Sequence, residues 1–151
     1  MKELQSKNIH PSVRKLLSYA ISEGAIDQEY KKYIHELNRT LYTWEIHGEP
    51  IGCIGMEFIH SNHCEIKHIA VSRAERGNGL GRKMIDFICD KYALTLVSAE
   101  TDKDAVGFYR SYGFNVISLG EKYPGVERFL CEYERSLANN GVIDSRKVEW
   151  L

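Results

Sequence analysis

The four cysteines, Cys53, Cys64, Cys89 and Cys131, form no CxxC pair, which argues against a disulfide framework or a zinc ribbon and leaves reduced, mostly buried thiols. His60, His63 and Cys64 cluster in one turn without a second ligand group, so no metal is expected. No apolar run approaches the roughly 18 residues that cross a bilayer. The opening MKELQSKNIHPS also lacks the apolar stretch of a signal peptide, so a cytoplasmic protein with no membrane partner is expected. Charge of one sign is missing too: a net charge of -1 and a pI near 6.6 give no field that would recruit nucleic acid. There is no internal repeat or low-complexity run. What remains is a chain of 151 residues, 43% hydrophobic and 27% charged, suited to one soluble domain.

The most informative stretch is Glu65 to Tyr92, where a strand runs through a glycine-rich turn into an amphipathic helix. Arg76, Gly77, Asn78, Gly79, Leu80 and Gly81 place three glycines in six positions, so the backbone can adopt φ > 0 and approach a ligand closely. Leu80, Met84, Phe87 and Ile88 then fall at i, i+4, i+7 and i+8, with Arg82, Lys83, Asp86 and Asp90 on the other side. The turn is therefore a helix N-terminus, whose free N–H groups and dipole favour an anion such as pyrophosphate. The P-loop spacing GxxxxGK[ST] fails, because the residue five positions after Gly77 is Arg82, followed by Lys83, where the motif requires Gly before Lys. The dinucleotide fingerprint GxGxxG fails at Arg82, where a third glycine is required.

Elsewhere the pattern alternates between helix and strand. Val13, Leu16, Leu17, Ala20 and Ile21 predict a first helix capped by Ser12 and stopped by Gly24. A second follows, capped by Asp27, with Tyr30, Tyr33, Ile34 and Leu37 inward. From Leu41 the period becomes two, giving a hairpin through Gly48, Glu49 and Pro50 into Ile51 to His60, then a third strand from Cys64 to Val71. Gly52 and Gly55 within a strand predict a bulge or a close approach by another backbone or a ligand. After the central helix come a strand over Thr95 to Thr101 and a helix capped by Asp102, with Ala105, Phe108, Tyr109 and Tyr112 on one face. Gly113 should stop that helix in the left-handed region. Two strands, Asn115 to Leu119 and Val126 to Glu134, close the sheet.

Three features together resemble the GNAT superfamily of acetyl-coenzyme A dependent N-acetyltransferases. The spacing RxxGxG at Arg76 to Gly81 fits its pyrophosphate loop, the element order is similar as far as about Arg135, and Asp102 to Phe114 is similar to its NxxAxxFYxxxGF segment, with aspartate in place of asparagine. The resemblance implies an α/β fold, a mixed and mostly antiparallel sheet with splayed central strands flanked by helices. It implies a GNAT domain over residues 1–135, leaving 136–151 as a C-terminal tail or arm that ends in Trp150 and Leu151. It further implies acetyl-coenzyme A as acyl donor, held by Arg76, Gly77, Asn78, Gly79, Leu80, Gly81 and Arg82 at the pyrophosphate. Ile69, Ala70 and Val71 would hold the pantetheine arm, helped by Asp102 and Phe108.

For catalysis the resemblance implies Tyr109 as the acid that protonates the leaving thiolate and Glu65, eleven positions before Arg76, as the base, with His68 and Glu57 behind it. Tyr30, Tyr33 and Trp44 lie where the family lines its acceptor site. Glu29, Glu36, Glu45, Glu57 and Glu65 favour a small-molecule amine as acceptor, with a protein or peptide amine left open, and a homodimer is compatible with the sequence. The competing reading is a non-catalytic acyl-coenzyme A binding or sensing module.

Overall fold

The computed structural model describes residues 1–138 and 141–143. In chain order its elements are β1 (Lys2–Glu3), α1 (Pro11–Ser18), α2 (Ile26–His35), β2 (Arg39–Ile46), β3 (Glu49–His60), β4 (His63–Val71), α3 (Leu80–Lys91), β5 (Leu96–Asp102), α4 (Val106–Tyr112), β6 (Asn115–Tyr123), β7 (Val126–Glu134), β8 (Ser136–Ala138) and β9 (Gly141–Ile143). The fold is α/β. Seven strands form one mixed, mostly antiparallel sheet in the order β1-β2-β3-β4-β5-β7-β6, and β8 and β9 make a separate antiparallel pair. Within the stretch expected as a tail or arm, Ser136–Ala138 and Gly141–Ile143 are thus paired strands; Trp150 and Leu151 lie outside the described residues. By contact density the chain divides into two units, residues 1–58 with 66–87 and residues 59–65 with 88–151.

In the first unit the core forms where α1 and α2 lay Val13, Leu16, Leu17, Ile26, Tyr30 and Tyr33 against Leu41, Cys53 and Ala70. The cap of α1 is His10, not the expected Ser12: its Nδ1 accepts from the Ser12 N–H at 3.0 Å, and Pro11 supplies a first residue with no N–H to satisfy. Helix α2 begins before Asp27, which pairs with Arg14 instead of capping, and Leu37 lies beyond the helix, fully exposed. The β2–β3 turn is His47–Gly48, both at positive φ (51° and 79°), so Pro50 is a strand residue, opposite Glu45 at a register shift. Gly52 and Gly55 admit side chains, not a ligand or a backbone: Cβ atoms there would meet Leu80 and Met84 in the first case and Tyr33 in the second.

The second unit is built on aromatic rings. Gly113, at φ 122°, ends α4 as expected, its N–H reaching the Tyr109 and Arg110 carbonyls, and Phe114 then turns inward. Phe114 meets Tyr109, Tyr112 and Tyr133 at centroid distances of 5.1, 5.3 and 5.5 Å. Arg135 is buried at the end of β7; its Nη1 donates to the carbonyls of Cys89 (2.6 Å) and Leu94 (3.2 Å) and its Nη2 to Asp90 (3.0 Å). It closes the C-terminus of α3, where carbonyls without a helical partner need donors.

Candidate active site

Strand β4 ends at Val71, a single 3-10 turn covers Arg73–Glu75, and α3 starts at Leu80. Between them Gly77 (φ 84°) and Gly79 (φ 76°) adopt the left-handed backbone, and no atom lies within 4 Å of where a Cβ would stand at either. The loop thus exposes bare backbone at the mouth of a twelve-residue helix, the geometry anticipated for an anion. Gly81 is inside α3 and takes no positive φ, so two glycines, not three, shape the turn. Leu80 is buried under the loop, whereas Asn78 and Arg76 are exposed. The Arg76 Nε donates to the Val71 carbonyl at 3.0 Å, and its guanidinium lies 4.8 Å from the centroid of the Tyr19 ring. Arg73 reaches the same ring at 5.7 Å.

The other candidates fall into two sets. Ile69, Ala70 and Val71 finish β4 in the first unit, with Ala70 buried and its neighbours half-buried, and Arg82 stands in the first turn of α3. Glu65, half-buried on β4, and Asp102, Phe108 and Tyr109 belong to the second unit. Asp102 ends β5, where its Oδ1 accepts from the N–H groups of Asp104 and Ala105, both at 3.0 Å; it shapes the turn into α4, whose N-cap is Ala105. Tyr109 is wedged between Phe108 (5.2 Å) and Phe114 (5.1 Å). Its hydroxyl takes no hydrogen-bond partner among the described residues, and burial holds it above the ordinary phenol range, so it stays protonated. The thiols of Cys53 and Cys64 are likewise pushed up to about 12 by burial, which disfavours an acyl-thioester route through either.

Two groupings in the first unit have no signature in the sequence. Arg39 is a hub: it donates to Glu29 and Glu57 at 3.1 Å each and lies 3.6 Å from Glu36, while Lys32 and Lys67 reach Glu29 and Glu57. With Glu45 paired to Lys2 at 4.0 Å, four of the five glutamates expected to attract a cation are compensated by the chain's own cations. Beside them Tyr33 Oη lies 2.5 Å from His68 Nδ1. Burial pushes the His68 imidazole down to about 4; Glu29 opposes this, and Arg39, Lys67 and Lys32 add to it.

Because the folded value is depressed, the unfolded chain binds a proton at this ring between about pH 6.5 and 4 that the folded chain refuses. Stability is therefore intact above that window and falls as pH drops through it. After a discount for partial exposure, the loss between pH 7 and 5 is about 1 to 2 kcal/mol. Thermal melts at the two pH values should show this slope in the wild type and a shallower one in His68→Gln; equal slopes would remove His68 as its cause.

The family model described as Acetyltransferase (GNAT) family matches residues 10–114, which takes in the loop, α3 and the whole of α4. The chain belongs to this family. Among relatives by sequence, an uncharacterized N-acetyltransferase in the lysA 3′ region of Bacillus methanolicus is 33% identical over 80 residues, 51% of this chain and 67% of that one. Aminoglycoside 6′-N-acetyltransferase complexed with coenzyme A shares the fold at a TM-score of 0.72 and 14% identity, covering 89% of this chain and 97% of that one. A GNAT acetyltransferase from Elizabethkingia anophelis with acetyl-coenzyme A bound does so at 0.64 and 21%, covering 87% and 95%. No helix among the described residues is long and apolar enough to cross a membrane.

Proposed function

We propose that the chain is an N-acetyltransferase that moves the acetyl group of acetyl-coenzyme A to a primary amine by direct attack within a ternary complex. The observation that carries the reading is the Arg76–Gly81 turn, with Gly77 and Gly79 at positive φ and open space above both, feeding α3 in a member of the GNAT family. Backbone N–H groups of the turn bind the pyrophosphate. Ile69, Ala70 and Val71 pair with the pantetheine arm as an added strand would. The coenzyme A complexes among the structural relatives support this assignment of the donor.

A primary amine with a pKa of about 10.4 is protonated at pH 7, and exposing its lone pair costs roughly 4 to 5 kcal/mol. Glu65 takes that proton, the amine nitrogen attacks the thioester carbon, the C–S bond breaks as Tyr109 protonates the departing sulfur, and the second proton lost by the nitrogen restores the phenol. A backbone N–H near Val71 meets the oxyanion. His68 is a poor base at neutral pH with its Nδ1 engaged by Tyr33, and Glu65 takes the role on its place eleven positions before Arg76.

The acceptor is a small amine. The structural relative that acts on an aminoglycoside supports that class, whereas the neutralised glutamates around Arg39 argue against selection by bulk negative charge alone. The four buried cysteines, none of them in a disulfide, suit a reducing cytoplasm.

Release of coenzyme A thiol should be followed across polyamines, aminoglycosides, amino acids and peptides. At least one small amine is expected to support turnover. Arg76→Ala should raise the acetyl-coenzyme A KM about tenfold, the worth of one charge-assisted hydrogen bond. Coenzyme A binding without turnover on any amine would replace the enzyme by a sensing module; no binding would end the reading.

A further inference from the structure

Arg73 and Arg76 differ from most other arginines of the chain in what they lack. Arg14, Arg39, Arg128 and Arg135 each meet a carboxylate. Among the described residues neither Arg73 nor Arg76 has an acidic partner; what they share is one aromatic ring, that of Tyr19, 5.7 and 4.8 Å from the two guanidinium carbons. Both distances lie inside the range of about 6 Å over which a ring face attracts a cation. Tyr19 is well placed to serve as a platform. It is the C-cap residue of α1, its N–H bonded to the Leu16 carbonyl at 3.1 Å, and its half-buried ring packs against the core of the first unit. The platform is fixed while both cations above it stay exposed.

The chemistry of Arg76 divides cleanly. Its Nε is taken by the Val71 carbonyl and its face by the ring, while Nη1 and Nη2 have no protein partner among the described residues. A guanidinium restrained at two points keeps its remaining donors in a planar fork, the shape that engages a phosphate through two hydrogen bonds. Arg76 and Arg73, the latter held by the ring alone, are gathered beside the turn that opens α3, with no carboxylate ion-paired to either among the described residues. Positive charge held together without compensation suits a ligand that supplies more than one negative oxygen.

We propose that Tyr19 is a positioning residue for donor recognition: its ring gathers Arg73 and Arg76 and presents them to the phosphates of the coenzyme. The proposal rests on the reading of the Arg76–Gly81 turn as the donor site. Tyr19 does not touch the reacting atoms, so its effect falls on donor affinity and on KM for the donor rather than on kcat. The ring face is what matters, not the hydroxyl.

The probe is coenzyme A itself, titrated calorimetrically against the full chain. Tyr19→Met keeps apolar bulk over the core and removes the aromatic face; binding is expected to weaken about fivefold, the combined worth of two exposed cation–π contacts. Tyr19→Phe should bind within about twofold of wild type, because it keeps that face. In an Arg76→Ala background Tyr19→Met should lose most of its effect, since the residue it positions is gone. Wild-type affinity in Tyr19→Met, or a loss in Tyr19→Phe as large as in Tyr19→Met, would overturn the proposal and leave the donor site standing. Failure of coenzyme A to bind the wild type would overturn the donor site itself. Should Tyr19→Met not fold, Arg73→Gln, at an exposed position, tests the same pair: binding about twofold or more weaker supports it, and unchanged binding rejects it.

Discussion

Gly55→Ala is expected to lower the melting temperature by about 10 °C or more, or to prevent folding, the largest stability effect of any single methyl group in the first unit. The added Cβ would stand 2.1 Å from Tyr33 Oη, 2.3 Å from Cζ and 2.8 Å from Cε1. Relief requires the ring to move, and the ring is only 4% exposed, bonded to His68, overlain by Arg39 at 5.6 Å and embedded in the core that α1 and α2 complete. Overpacking a rigid site of this kind costs about 1 to 3 kcal/mol, and displacing the Tyr33–His68 bond adds to it. Gly52 is the internal control: a Cβ there meets the ends of the Leu80 and Met84 side chains at 3.1 to 3.3 Å, and these can rotate away. Gly52→Ala should therefore fold with a modest loss. Tyr33→Phe should fail to rescue Gly55→Ala, because the ring carbon at 2.3 Å remains, whereas Tyr33→Leu should recover part of the stability. Similar melting temperatures for the two alanine variants would show that the ring yields more readily than its burial implies.

Tyr109→Phe is expected to lower kcat about 100-fold with little change in the acetyl-coenzyme A KM, the size of effect a positioned general acid supplies. The same variant should melt within about 2 °C of wild type, because removing a hydroxyl that bonds no group among the described residues leaves nothing buried and unsatisfied behind. The ring contacts with Phe108 and Phe114 survive the change. This separation of activity from stability distinguishes an acid from a structural phenol. Burial raises the Tyr109 pKa, so the proton is held in the folded enzyme through neutral pH and beyond the ordinary phenol value. No alkaline decline in kcat below about pH 10 should trace to this group. Turnover preserved in Tyr109→Phe would move the protonation step to solvent or to another side chain.

What could be read from the sequence was whatever local pattern dictates. The apolar period of α3, the glycine stop of α4 and the alternation of β2, β3 and β7 are properties of a few consecutive residues, and they carried the order of elements and the loop at Arg76. The caps of α1 and α2 went astray because Ser12 and Asp27 found distant partners, Glu49 and Arg14, whose attraction outweighs a local N-cap. Gly55 was legible as a close approach, but not as an approach by Tyr33, since nothing in the chain ties position 33 to position 55 before the sheet and α2 pack. The same holds for Tyr19 with Arg76 and for His68 with Tyr33. Side chains that meet across tertiary distances leave no period to count. Motif spacing could name Arg76 as a phosphate residue, but the ring beneath it came into view only once α1 and the loop were folded together.

Arg135 also bears on how this chain leaves the ribosome. Its bond to the Cys89 carbonyl spans 46 residues, and its backbone N–H donates to the Thr95 carbonyl at 2.8 Å. Closing a loop of that length carries an entropic cost. During synthesis α3 can wind as soon as it emerges, yet the carbonyls at its far end stay without these donors until β5, α4, β6 and β7 have all been made. Fastening of the α3 C-terminus by this guanidinium therefore waits until the end of β7 has been made.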